Sequence, residues 1–401
     1  MIMKDIEKKA RAYALKNSIS HDGKAQQGAV ISSLFHEGLK KSEVSKYAKI
    51  ISEIVKEVNH LNLEEQEKEF NNLKEDISER KGREGLEELP NVGKKGVIMR
   101  FAPSPSGPLH IGHAMTASLS YLYVKKYGGK FIVRIEDTNP ENIYPPAYKM
   151  IENECVWLFN GEAEIIIQSY RMEIYYEYAE KLIKKNSVYA CTCSQDEFEK
   201  FALSKSNCPC RNLDVKENMV RWKKMLDENG FKQGEAVLRF RSNMKHPNPA
   251  MRDFPLARIN TNPHPIQKNK YRVWPLMNLA VAVDDIEMNI THVIRAKDHI
   301  DNARRQEMIH KALGKKSPWT AFLGKFKFTD LEISKTKMRQ AIEEGKYSGW
   351  DDERLPTLES LKKRGYKPSA FWNFAEQIGL SENDKVMDKK EFFTLLDSFN
   401  R

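Results

Sequence analysis

Cysteine is scarce. Five occur in 401 residues, and four of them fall in one twenty-residue stretch, too few and too clustered for a disulfide scaffold. Long apolar runs are missing as well: no 18 consecutive apolar residues occur, which excludes an ordinary membrane-spanning helix. The first twenty residues, MIMKDIEKKARAYALKNSIS, mix both charge signs and have no apolar signal core, so a cytoplasmic location is expected. Internal repeats and low-complexity tracts are absent. With 40% apolar and 10% aromatic residues the chain can build real cores, which excludes wholesale disorder. Its length suggests two to four domains at about 100–200 residues each. The formal charge of +10 is unevenly spread. Residues 311–370 hold 14 basic and 8 acidic side chains, whereas residues 1–95 hold 18 and 17. The excess therefore lies late in the chain, which favours a surface facing a polyanion over uniform solubilisation.

Residues 1–88 carry helix formers. Ile50, Ile51, Ile54, Val55 and Val58 repeat every three to four positions, marking one buried helical face. The charge-dense segment from Leu63 to Glu88 reads as an exposed helix running into a linker, punctuated by Pro90, Gly93 and Gly96. Then the pattern changes. Gly96–Phe101 reads as a short buried strand, His113–Tyr127 as a helix closed by Gly128-Gly129, and Lys130–Ile135 as a second strand. Strand, loop, helix, strand within about 40 residues is a βαβ unit, which implies a parallel sheet with its ligand at the carboxyl ends of the strands. Residues 189–270 interrupt this α/β pattern, Val281–Arg295 resume it, and from about Phe326 the chain reads as helical.

The most informative stretch is Arg100-Phe101-Ala102-Pro103-Ser104-Pro105-Ser106-Gly107-Pro108-Leu109-His110-Ile111-Gly112-His113-Ala114. Three prolines stiffen the strand-to-helix crossing and lower the entropy cost of holding one loop shape. Gly112 lets a ligand approach the backbone closely. His110 and His113, three apart at a helix start, share a face beside the positive end of the helix dipole, an arrangement suited to a phosphate.

This stretch resembles the signature of class I aminoacyl-tRNA synthetases, in the version found in glutamyl- and glutaminyl-tRNA synthetases. Other segments agree: Arg134-Ile135-Glu136-Asp137-Thr138-Asn139-Pro140, Trp274-Pro275, Asp284-Asp285, Ile290–His299 and Tyr347-Ser348-Gly349-Trp350-Asp351-Asp352. The helical N-terminal extension and the SGWDD segment resemble the archaeal and eukaryotic glutamyl branch. The resemblance implies an α/β fold: a Rossmann-like parallel-sheet catalytic domain in two halves (93–188 and 271–325), split by an acceptor-stem-binding insertion (189–270). Helical domains would flank it at 1–92 and 326–401. The implied activity is glutamate–tRNA ligation, with ATP, Mg2+, L-glutamate and tRNA as reaction partners, no membrane association and a monomeric state. A glutaminyl-tRNA synthetase and a non-catalytic tRNA-binding paralogue are the alternatives.

By the same resemblance, His110 and His113 contact the ATP phosphates and stabilise charge developing at the α-phosphorus, with Gly112 beside them. The mobile KMSKS loop of the family matches Glu332-Ile333-Ser334-Lys335-Thr336. Its first lysine is Glu332 here, so Ser334 and Lys335 carry the implied ATP contacts. Glu136 and Ser104 would hold the α-amino group of the amino acid, and Arg100 and Arg295 its side-chain carboxylate. A guanidinium offers a two-pronged donor fork to a carboxylate, and an amide supplies only one acceptor oxygen, so Arg295 is the expected discriminator between glutamate and glutamine. Met277 and Val281 stand where the family often has a tyrosine and a polar residue, and Ala296 replaces a common glycine.

Cys191-Thr192-Cys193 and Cys208-Pro209-Cys210 are two CxC pairs separated by fourteen residues. Four thiolates this close can close a tetrahedral site, and relatives carry zinc at the corresponding place, so structural Zn2+ is expected; four cysteine ligands leave no open catalytic position. Cys155, beside Val156 and Leu158, reads as core. Lys362, Lys363, Arg364 and Lys367 are expected to meet tRNA phosphates. Archaeal-type relatives continue into a β-barrel that reads the anticodon, and nothing up to Arg401 resembles it. A shortened chain, a separately encoded anticodon-binding domain, and action without anticodon reading are the three expectations.

Overall fold

The computed structural model describes residues 3–40, 43–77 and 85–400. The chain divides into two compact units, Met1–Glu84 and Gly85–Arg401. The division falls before the expected 92 because Leu89 is buried in the core of the second unit, with Leu86 and Val92 packed against that core.

The first unit contains helices α1 (Met3–Ile19), α2 (Gln27–His36), α3 (Val44–His60) and α4 (Leu63–Leu73). The three-to-four spacing read from the sequence is the buried stripe of α3: Tyr47, Ile51, Ile54, Val55 and Val58. A capping box between Asn62 and Glu65 starts α4. The expected run into a linker at 78–84 lies outside the described residues.

The second unit opens with β1 (Val97–Phe101), α5 (Ile111–Tyr127), β2 (Gly129–Ile135), α6 (Ala147–Leu158), β3 (Glu164–Ile167) and α7 (Met172–Lys184). An insertion follows: β4 (Val188–Cys191), α8 (Gln195–Leu203), α9 (Val215–Leu226), β5 (Val237–Phe240), β6 (Pro255–Ile259) and β7 (Val273–Pro275). These four strands form an antiparallel sheet in the order β4-β5-β6-β7. Because β7 still belongs to that sheet, the insertion closes a few residues past 270. The α/β pattern resumes with α10 (Met277–Glu287), β8 (His292–Ala296), α11 (Ile300–Leu313) and β9 (Trp319–Leu323).

The five strands β3-β2-β1-β8-β9 form one parallel sheet. The chain winds one way from β1 to β3 and the other way from β8 to β9, so the order reverses between β1 and β8. Their carboxyl ends therefore open a crevice at that junction, the place where such sheets bind ligands.

The remainder is β10 (Phe326–Phe328), α12 (Lys335–Glu343), α13 (Leu358–Lys363), α14 (Pro368–Ile378), β11 (Lys385–Met387) and α15 (Lys389–Phe399). The segment expected as helical, 326–401, holds four helices and also a short strand pair, since β10 and β11 pair in parallel. Nor is this segment a separate core. Phe371, Phe374 and Phe392 share one buried cluster with Val97, Met99 and Phe131 of the large sheet.

Candidate active site

The loop leaving β1 is held by its own proline carbonyls. Pro103 O accepts the Glu136 N–H at 2.9 Å and Pro105 O accepts the Tyr144 N–H at 2.8 Å. The helix begins earlier than the sequence pattern gave, at Ile111, with His110 as its N-cap in an extended conformation (φ −133, ψ 173). His110 Nδ1 accepts the Gly112 N–H at 3.1 Å, and His113 Nδ1 accepts the His110 N–H at 3.3 Å. Two consequences follow. The rings stack, with centroids 3.8 Å apart and planes 30° to one another. Each Nδ1 is an acceptor, so in the neutral ring the proton resides on Nε2. Burial pushes the His110 pKa down to about 3 and holds His113 well below the ordinary histidine value. Both rings are therefore uncharged donors at neutral pH. Glycine at 112 leaves room for this packing, because a Cβ there would lie 3.1 Å from His110 Cε1, tighter than an ordinary contact.

The motif is also braced from behind. Leu109 N–H donates to the buried Glu154 carboxyl at 2.7 Å, and burial pushes that carboxyl up to about 8. Ile111 N–H donates to Pro356 O at 3.1 Å and Leu358 N–H to Leu109 O at 3.0 Å, so the residues after the Ser-Gly-Trp-Asp-Asp segment strap the helix start.

A cavity of about 550 Å³ opens at the β1/β8 junction, and Arg100, Ser104, His110, Gly112, His113, Glu136 and Arg295 all line it. The histidines and Arg295 thus face one space. The three strand arginines beneath it differ in their partners. Arg100 of β1 gives Nε and Nη2 to Asp285 at 2.8 and 3.1 Å. Arg134 of β2, fully buried, gives Nη1 to Asp285 at 2.8 Å and Nη2 to Glu136 at 3.1 Å. Against the cost of burial, these two guanidiniums hold Asp285 well below the usual carboxylate range. Arg100 is therefore already engaged by a protein carboxylate, which narrows the part expected of it.

Arg295 of β8 has no such partner. Its Nη1 donates to the neutral Gln306 Oε1 at 2.9 Å, its buried Nε has no hydrogen-bond partner, and no ion pair to it occurs among the described residues. Burial, reinforced by Arg100, lowers its pKa to about 10, so it remains cationic at neutral pH. A half-buried cation facing an open cavity with no ion-pair partner among the described residues is a site for an anion. Glu136, raised by burial, supplies the opposite sign across the same space.

Not every expected residue reaches the cavity. Lys335 and Ser334 do not line it, although neighbouring Ile333 does. Ser334 is the N-cap of α12, and Lys335 Nζ donates to Ser104 O and Gly107 O at 3.4 and 3.2 Å, resting on the proline loop. Met277 is 40% exposed and lines the cavity, whereas Val281 is 1% exposed and absent from its wall. His299 lines the cavity without having been singled out, and burial with Arg295 lowers its pKa to about 4.

The family model for tRNA synthetases class I (E and Q), catalytic domain, matches residues 96–398. The chain belongs to this synthetase family. It is 43% identical over 386 residues to the glutamate–tRNA ligase of Methanothermobacter marburgensis, covering 96% of this chain and 69% of that one. It is 43% identical over 380 residues to the glutamate–tRNA ligase of Methanocaldococcus jannaschii, covering 94% and 68%. The solved glutamate–tRNA synthetase of Elizabethkingia anophelis shares the fold, with a TM-score of 0.53 at 22% identity over 75% of this chain and 69% of that one.

In the synthetase's insertion, the Sγ atoms of Cys191, Cys193 and Cys208 all lie within 4.8 Å of one another. Cys210 Sγ lies 4.0 Å from Cys193 Sγ and accepts from Thr192 N–H and Arg221 Nη1 at 3.4 Å each. The hydrogen bond from Cys191 holds the Cys208 thiol down to about 5, and the same bond raises Cys191. Cys155 is fully buried core. Among the expected tRNA contacts, Lys362, Lys363 and Lys367 are exposed. Lys363 is paired with Asp351 at 3.1 Å, and Arg364 is half-buried with its guanidinium 4.3 Å from the Phe393 ring centre. No helix among the described residues is long and apolar enough to cross a membrane.

Proposed function

We propose that this synthetase activates glutamate with ATP and transfers it to the terminal adenosine of tRNA. The observation that carries the reading is Arg295, a half-buried guanidinium lining the ligand cavity with no carboxylate of its own. The substrate's side-chain carboxylate supplies the missing counter-charge, and Glu136 faces the α-amino group. The α-carboxylate oxygen attacks the α-phosphorus of ATP, a P–O bond to the β-phosphate breaks, and pyrophosphate leaves with Mg2+. No covalent bond to protein is required, so the chain's task is alignment and anion stabilisation. His110 and His113 each present an Nε2–H to the nucleotide without adding charge, and Lys335 approaches from the proline loop. The 2′-hydroxyl of the terminal adenosine then attacks the acyl carbon and releases AMP.

Cys191, Cys193 and Cys208 group closely enough for a structural zinc, with Cys210 outside that group but beside Cys193 as the fourth candidate ligand. With Zn–S near 2.3 Å, tetrahedral ligands lie roughly 3.8 Å apart, close to the 3.9 Å between Cys191 and Cys208 and the 4.0 Å between Cys193 and Cys210. Zinc held by these four side chains would clamp the end of β4 to the 208–210 turn and leave no position for substrate. Of the four expected tRNA contacts, Lys362 and Lys367 are exposed and form no ion pair among the described residues, so these two are the candidates for tRNA phosphates.

ATP–pyrophosphate exchange, run with glutamate or glutamine and with or without tRNA, tests this reading. Exchange dependent on glutamate is the expected result. Exchange with glutamine alone would assign the glutaminyl activity, and none with either would leave a tRNA-binding paralogue.

A further inference from the structure

Arg295 must stay charged, oriented and unpaired until substrate arrives, and its surroundings do not make that easy. Behind its guanidinium lies a second cavity of about 390 Å³, lined by Arg100, Asp285, Arg295, Gln306 and Glu307 among others. A guanidinium free to turn would find carboxylates there and neutralise itself.

Gln306 of α11 stands in the way. It is 4% exposed, and its Oε1 accepts Arg295 Nη1 at 2.9 Å while its Nε2 donates to Asn278 Oδ1 of α10 at 3.3 Å. The amide orientations are forced. A guanidinium only donates, so the Gln306 oxygen must face it; the Gln306 nitrogen must then face the Asn278 oxygen. Two helices thus present a relay of neutral acceptors to the arginine.

We infer that Gln306 is a positioning residue for glutamate recognition: its uncharged amide fixes the Arg295 guanidinium toward the substrate cavity without neutralising it. This rests on the glutamate-activating function proposed above. A carboxylate at 306 would occupy the same place yet supply the counter-charge that the substrate should bring, and an apolar isostere would leave the guanidinium free to turn.

Gln306→Glu and Gln306→Met, assayed by ATP–pyrophosphate exchange in the presence of tRNA, test this. Gln306→Glu is expected to raise the KM for glutamate on the order of 10- to 100-fold, because a buried charge pair forms in competition with substrate. The KM for ATP and kcat should stay within about twofold, and preference for glutamate over glutamine should fall. Gln306→Met should raise the glutamate KM by a smaller factor, again with ATP KM unchanged. An unchanged glutamate KM in both variants overturns the inference, as does a uniform loss in which kcat and both KM values move together, the mark of a merely structural role. A wild-type protein that activates no glutamate would defeat the ligase reading itself, so the two failures are distinguishable.

Discussion

Arg295→Gln should lower kcat/KM for glutamate by on the order of a thousandfold in the exchange assay, with the KM for ATP little changed. Stripping the partner from a buried charge costs roughly 3–5 kcal/mol, which applies here to the substrate carboxylate brought into the cavity. Arg295→Lys should fall between, since an ammonium keeps the charge and loses the fork. The melting temperature should hold or rise, because the free protein loses a half-buried cation that has no carboxylate partner. A merely structural arginine would show the reverse pattern, a lower melting point with glutamate KM intact.

His110→Ala and His113→Ala should each reduce kcat by about 10²–10³, the usual cost of removing a donor from a developing anion. The tautomer gives a sharper expectation. Because Nδ1 of His113 accepts the His110 N–H, asparagine at 113 can reproduce the acceptor that starts the helix, and glutamine can reproduce the Nε2–H proposed to meet the nucleotide. His113→Gln should therefore retain more activity, and His113→Asn more thermal stability. Neither histidine should appear in the pH profile between about 5 and 8, since burial holds both neutral there. Lys335 should: burial pushes it down to about 8. It is cationic below that value and loses its charge as pH rises through it, so kcat/KM for ATP should decline above about pH 8.

The βαβ unit was legible because its information is local. Prolines, a glycine and two histidines occupy one continuous run, and the apolar strands on either side leave few other readings. The family resemblance named Arg100, His110, His113, Glu136 and Arg295, and all five line one cavity. What sequence did not disclose depends on residues distant in the chain. Asp285 lies 185 positions from Arg100 and takes two of its donors, which changes what Arg100 has left to offer a substrate. Gln306 looks like any polar residue on an α11 surface until β8 brings Arg295 against it. The strand pair β10/β11 escaped notice because each strand has only three residues, too short for a period-two pattern to register. Lys335 was read from the match to the family's mobile loop, and the proline-loop carbonyls hold its ammonium group against Ser104, close enough for its charge to act on His110 and His113.

The central claim is that one cavity holds the phosphate-binding imidazoles and the carboxylate-binding guanidinium at opposite ends of a single substrate. A crystal structure with a non-hydrolysable glutamyl-adenylate analogue tests it most directly. The account predicts the side-chain carboxylate at about 3 Å from the Arg295 guanidinium and the phosphate isostere at hydrogen-bonding distance from the Nε2 atoms of His110 and His113. An analogue seated with its carboxylate away from Arg295, or with its nucleotide outside the crevice between β1 and β8, would contradict it.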